Sequence, residues 1–126
     1  MFEVDCGDGA FLFPLHQNGY VVGGTDGDPA MIERALAVMP DGLFTVGRAA
    51  ALDPAVPWDV VICRSLAGWP DPDYVRGLVA RMFAKATHAI ALLNAPEKGH
   101  QDLLHALTEV GAAAVQIEGP HVFARV

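Results

Sequence analysis

The feature that most constrains this chain is a repeated switch of period along it. Short apolar runs, each of strand length, alternate with stretches whose apolar residues recur at helical spacing. Two of these switches carry the same dipeptide. Asp28-Pro29 and Asp71-Pro72 each place a capping carboxylate before a proline, which is tolerated at the first helical position because that N–H has no partner there anyway. After the first, Met31, Ile32, Ala35, Leu36 and Met39 fall on one helical face; after the second, Val75, Leu78, Val79, Met82, Phe83 and Ala86 do the same.

The apolar runs place strands at residues 2–6, 20–25, 43–46, 60–63 and 89–93. The segment 10–17 is read as a helix stopped by Asn18-Gly19, and 101–110 as another. Two final strands, near 114–117 and 122–125, are joined by the turn Glu118-Gly119-Pro120. Strands separated by helices imply right-handed crossovers and a mostly parallel sheet covered on both faces. The last two strands are linked too closely for a crossover, so they pair antiparallel. The expected class is α/β.

With 126 residues there is room for one domain spanning 1–126. Hydrophobic residues make up 52% and charged ones 18%, a globular balance. Apolar runs such as 89–93 are too short to cross a bilayer, and Met1-Phe2-Glu3-Val4-Asp5 lacks the basic start of a secretion signal, so a cytoplasmic location is expected. Fifteen acidic residues against 8 basic ones give a formal charge of −7. The basic residues are scattered, which speaks against nucleic acid and against an anionic membrane. Two cysteines, Cys6 and Cys63, and dispersed histidines give no metal-ligand spacing.

In open α/β sheets, ligands bind beyond the carboxyl ends of the strands. There the first strand supplies Glu3, Asp5, Cys6, Gly7 and Gly9. Glycines at this place let the backbone approach a ligand, or simply make a turn. The second strand ends at Asp26, read either as a turn residue or as a carboxylate that accepts from both hydroxyls of a ribose. Its separation from the first loop favours the latter. Val46-Gly47-Arg48-Ala49 and Cys63-Arg64-Ser65 follow the third and fourth strands; as isolated segments they say little.

Taken together, these segments resemble the class I S-adenosylmethionine-dependent methyltransferases. Glu3-Val4-Asp5-Cys6-Gly7-Asp8-Gly9 is similar to the family's acidic-x-Gly-x-Gly-x-Gly loop. Residues 22–32 resemble its second motif, 46–52 its adenine-contact segment and 58–63 its fourth strand, in an order and spacing that hold from about residue 2 to 96. The resemblance implies a Rossmann-like three-layer sandwich and S-adenosylmethionine as cofactor. Glu3, Asp5 and the Gly7–Gly9 backbone would then face the methionine part. Asp26, with Gly27, would bind the ribose, and Met31 would pack on the adenine with Arg48 and Ala49 at its edge. Cys63 would line the pocket.

Asp5 stands where the family has its first glycine. Arg48 stands where it commonly has an aspartate accepting from the adenine amino group, a contact that arginine, a donor only, does not make; stacking on the ring or pairing with Asp28 are the alternatives. Family members usually carry helices before the first strand, so the resemblance implies an open pocket here, covered by self-association or by a partner chain. The expected activity is methyl transfer to a small molecule, with no obligatory catalytic residue. His16 is a candidate base or a surface residue, and Trp69 a substrate contact or a packing residue. The rival readings are a cyclase, isomerase or binding subunit on the same fold, a nicotinamide-binding domain (whose third glycine would fall at Leu12), and a scaffold that binds only protein.

Overall fold

The computed structural model describes residues 1–66 and 71–126; Trp69 lies outside them. The elements run β1 (Phe2–Val4), α1 (Phe13–Gln17), β2 (Gly23–Asp26), α2 (Pro29–Val38), β3 (Leu43–Val46), β4 (Trp58–Cys63), α3 (Pro72–Lys85), β5 (Ala86–Leu92), α4 (His100–Glu109), β6 (Ala114–Glu118) and β7 (His121–Arg125), with short 3-10 turns at Ala49–Ala51 and Glu97–Gly99. Both Asp-Pro signals work as read. The Asp28 carboxylate accepts from the Ala30 N–H at 3.0 Å and the Asp71 carboxylate from the Asp73 N–H at 2.9 Å.

The strands form one sheet in the order β3-β2-β1-β4-β5-β7-β6. The first five are parallel, and β7 runs antiparallel between β5 and β6. The expected α/β architecture, mostly parallel with an antiparallel C-terminal pair, is the one observed. From β1 the chain moves outward through β2 and β3, then returns to place β4 on the other side of β1. The order therefore reverses between β1 and β4, and the crevice of such a sheet opens at that point.

Two apolar cores sandwich the sheet. On one face Val4, Val61, Ile90 and Leu92 meet Leu78, Val79 and Met82 of α3 and Leu107 of α4. Each such side chain, fully removed from water, contributes about 1.5–3 kcal/mol. On the other face Leu12, Val22 and Phe44 meet Ile32, Ala35 and Met39 around α2. That second face continues across β4, β5 and β7 as an apolar groove of about 430 Å³, lined by Phe11, Leu15, Ile62, Ala91, Leu93 and Phe123 among others. No described helix is long and apolar enough to cross a membrane.

Three local expectations are corrected. The first strand ends at Val4 rather than residue 6, because Asp5 takes a φ of +55° and turns the chain out of the sheet. The first helix begins at Phe13 rather than residue 10, with Pro14 in its opening turn, where a missing N–H costs nothing. The second strand begins at Gly23, leaving Tyr20 and Val21 exposed. A methyl group on Gly23 would lie 2.7 Å from the Leu43 carbonyl oxygen, and one on Gly24 would lie 2.7 Å from that of Glu3, so close strand packing requires these glycines.

Candidate functional site at the carboxyl ends of β1, β2 and β4

The register aligns Val4 with Thr25 on one side and with Cys63 on the other, so the segments leaving β1, β2 and β4 emerge together. The loop after β1 is tightly coiled: Asp5, Gly7 and Gly9 all have left-handed backbones, with φ of +55°, +58° and +80°. Asp5 thus adopts the conformation that a glycine would serve at this place, which aspartate tolerates better than most residues. Its carboxylate is anchored by the Ser65 hydroxyl, which donates to Oδ2 at 2.9 Å. Gly9 is needed for its backbone, since a φ of +80° strains any residue with a Cβ. Gly7 is different. No described residue lies within 4 Å of where its Cβ would point, so its backbone faces open space among the described residues.

Asp26 ties this loop to β2. Its Oδ2 accepts from the Gly7 N–H and its Oδ1 from the Asp28 N–H, both at 2.9 Å. Each carboxylate oxygen has about two lone-pair sites, so one on each remains for a ligand. Gly27 is exposed beside it, and the position its Cβ would take is 4.0 Å from Cγ of Arg48. Arg48 is exposed and forms no ion pair with Asp28 or any other described residue. Met31 sits half-buried in the first turn of α2.

Glu3 has no exposed surface. Arg64, immediately after β4, donates from Nε to its Oε2, and the Arg64 guanidinium lies 4.5 Å from the centroid of the Phe11 ring. The other oxygen, Oε1, is buried without a partner among the described residues. Burial pushes the Glu3 carboxyl up to about 7; Arg64 opposes this, while the Asp5 and Asp26 carboxylates add to it. Arg64 and Ser65, which the sequence reading places after the fourth strand without a role, are the residues that pair with Glu3 and Asp5. The available signal was an arginine at the end of a strand, in a chain with only 8 basic residues.

Glu3, Asp5, Gly7, Gly9, Asp26 and Gly27 therefore gather at one end of the sheet, with Arg48 alongside. Ala49 and Cys63 are buried in the core shared with α3, beneath that surface. Burial raises the thiols of Cys63 to about 11 and Cys6 to about 12, and both are free. They are packed, unreactive thiols. His16 lies elsewhere: its Nε2 is 2.7 Å from Asp41, in the turn before β3, at the amino-terminal end of the strands.

No protein-family model matches the chain. No curated protein sequence matches it significantly. Solved structures do. Magnesium protoporphyrin IX methyltransferase (ChlM) from Synechocystis PCC 6803, with bound SAM, aligns over 98% of this chain and 68% of its own at a TM-score of 0.79 and 20% identity. Streptomyces venezuelae DesVI aligns over 98% of this chain and 81% of its own, with a TM-score of 0.81 and 13% identity. CalS10, a SAM-bound amino pentose methyltransferase from Micromonospora echinaspora, is 27% identical over 72% of this chain and 40% of its own, with a TM-score of 0.65. From its strand order and these likenesses, the chain has the class I Rossmann-like methyltransferase fold.

Proposed function

We propose that this chain binds S-adenosylmethionine at the carboxyl ends of β1 and β2 and transfers its methyl group to a small molecule. The observation that carries the reading is the Asp26 carboxylate, fixed by the Gly7 and Asp28 N–H groups with a lone pair left on each oxygen. A cis-diol is the group such an acceptor pair suits. Gly7 adds a backbone with open space over it, so a nucleoside can lie close. On these two points the residues fit the cofactor. SAM-bound relatives of the same fold support the choice of ligand.

When bound, S-adenosylmethionine supplies a methyl group already activated on a sulfonium. The chain's own residues bind and orient. Asp26 fixes the ribose, the coiled Asp5–Gly9 loop sets how deep the ligand sits, and the carboxylates of Asp5 and Asp26 favour a cationic ligand over a neutral one. Among the described residues no histidine is placed here, and the acceptor supplies the nucleophile of an in-line displacement.

Calorimetric titration tests the reading. Saturable binding of S-adenosylmethionine and S-adenosylhomocysteine, with none of NAD, supports it; no heat from either adenosyl ligand at high protein concentration rejects it. A second reading, the same fold working as a cyclase, isomerase or binding subunit, is favoured by one feature. Arg48 stands beside Gly27 at the adenine edge, where it offers only donors. Binding of both ligands without methyl transfer to any acceptor in a small-molecule panel would select it.

A further inference from the structure

The face of the sheet that carries α3 and α4 is covered unevenly. Those helices pack over β4 and β5. Beside β2 and β3 the same face has the 3-10 turn at Ala49–Ala51 and the loop that follows it, and next to that loop lies a cavity of about 330 Å³. Small-molecule sites begin at about this size. Phe2 and Trp58 form its aromatic side, with ring centroids 5.5 Å apart, and Leu43, Leu52 and Val56 its aliphatic walls. Gly23 makes room for the indole, since a Cβ there would come 2.8 Å from Trp58 Cζ2.

A cation lines this apolar space. Lys85, the last residue of α3, is only 5% exposed. Its Nζ donates to the Asp53 carbonyl oxygen at 2.6 Å and stands 4.8 Å from the centroid of the Phe2 ring. Neither partner is an anion, and Lys85 forms no ion pair among the described residues. Burial pulls the ammonium below the ordinary lysine value, against the opposing pull of Asp53. A buried charge without an opposite charge is costly, and a lysine with nothing to meet ordinarily carries its head into water. The carbonyl takes one of the three ammonium donors, so others remain for a ligand. Thr25 is an independent pointer. It lines the same cavity, and its Oγ1 is buried without a partner among the described residues. An unpaired ammonium and an unmet hydroxyl in one aromatic-walled cavity complement a carboxylate carried on a flat apolar body.

We infer that this cavity binds a small aromatic carboxylate, with Lys85 holding the carboxylate, the Thr25 hydroxyl donating to it, and Phe2 and Trp58 packing on the ring. The site shares no residue with those assigned to the nucleoside and does not rest on the S-adenosylmethionine reading.

Three probes test this: phenylacetate, phenylacetamide, which keeps the ring and loses the charge, and acetate, which keeps the charge and loses the ring. Titrations followed by amide chemical shifts should show phenylacetate binding saturably and roughly 10- to 100-fold more tightly than either of the others, the worth of a hydrogen bond to a charged group. The amides of Thr25, Leu43 and Thr45 should move, and those of Gly7 and Asp28 should stay. Lys85→Met keeps the apolar stem and loses the charge; its preference for phenylacetate over phenylacetamide should shrink to within about twofold. Should Lys85→Met not fold, the shift map of the unaltered protein decides. No saturation by phenylacetate at about 20 mM, shifts centred on Gly7 and Arg48, or a preference that survives Lys85→Met would each overturn the assignment. Any of these results leaves the S-adenosylmethionine reading standing, and failure of S-adenosylmethionine to bind leaves this site standing.

Discussion

The Asp26 carboxylate holds the Gly7 N–H at 2.9 Å, joining segments 19 residues apart and fixing the loop after β1 against the end of β2. One side chain thereby shapes the loop and keeps a lone pair free on each of its oxygens. Asp26→Ala leaves the Gly7 and Asp28 N–H groups without their acceptor, and a cost of about 1–3 kcal/mol is expected. Hydrogen exchange reads this directly: both amides should lose protection while β5 amides keep theirs. Unchanged protection at Gly7 would show that the loop holds its shape without Asp26.

The buried Glu3 makes stability depend on pH. Its carboxyl titrates near 7 in the folded chain against 4.5 as the ordinary value, so the folded state holds the proton more tightly. Its contribution is fully present below about 4.5 and is lost as pH rises through 7, a difference of roughly 3 kcal/mol. Urea unfolding at pH 5 and pH 8 should show this fall in the natural chain. In Glu3→Gln the fall should be smaller by about that amount. An identical fall in both proteins would contradict the assignment.

Gly24 and Gly7 should respond to alanine in opposite ways. The Gly24 methyl would press on the Glu3 carbonyl oxygen of β1 at 2.7 Å and on the Cys6 Cβ, in the loop that follows it, at 2.9 Å. Forcing those strands apart is expected to cost about 1–3 kcal/mol or more. Gly7→Ala meets no described neighbour and carries only the strain of a left-handed backbone, about 1–2 kcal/mol, but on the proposed reading places a methyl where the ligand would lie. Thermal melts and ligand titrations on the two variants separate a packing glycine from a binding one. Equal effects of both on ligand affinity would erase that distinction.

On the proposed S-adenosylmethionine reading, Arg48→Asp puts an acceptor where the adenine amino group would lie. Because Arg48 is exposed and unpaired among the described residues, the melting temperature should stay within a degree or two. S-adenosylmethionine should bind more tightly, by roughly 3- to 10-fold, the worth of one modest hydrogen bond. Weaker binding instead would mean that Arg48 itself contacts the ring, by stacking.

Much of the fold was legible because it is written locally. Strand and helix periods differ, and Asp28 and Asp71 cap their helices as their sequence context implies. Pro14 also marked where α1 begins, although the apolar run from Ala10 to Leu15 obscured it. The site was legible in part for the same reason. Gly7, Gly9 and Asp26 lie within 20 residues on one strand–helix–strand unit. The Glu3–Arg64 and Asp5–Ser65 pairs were not legible, being separated by 61 and 60 residues. They meet only because β4 returns to lie beside β1, and no local period encodes which strands become neighbours. Burial of Ala49 and Cys63 beneath the crevice depends likewise on where α3 docks.

A crystal structure with S-adenosylhomocysteine tests the central claim most directly. The account expects the ribose hydroxyls within about 2.6–2.9 Å of the two Asp26 oxygens, and the nucleoside against the Gly7 backbone. A ligand seated in the apolar groove over β4 and β5, or Asp26 turned away from the ribose, would contradict it.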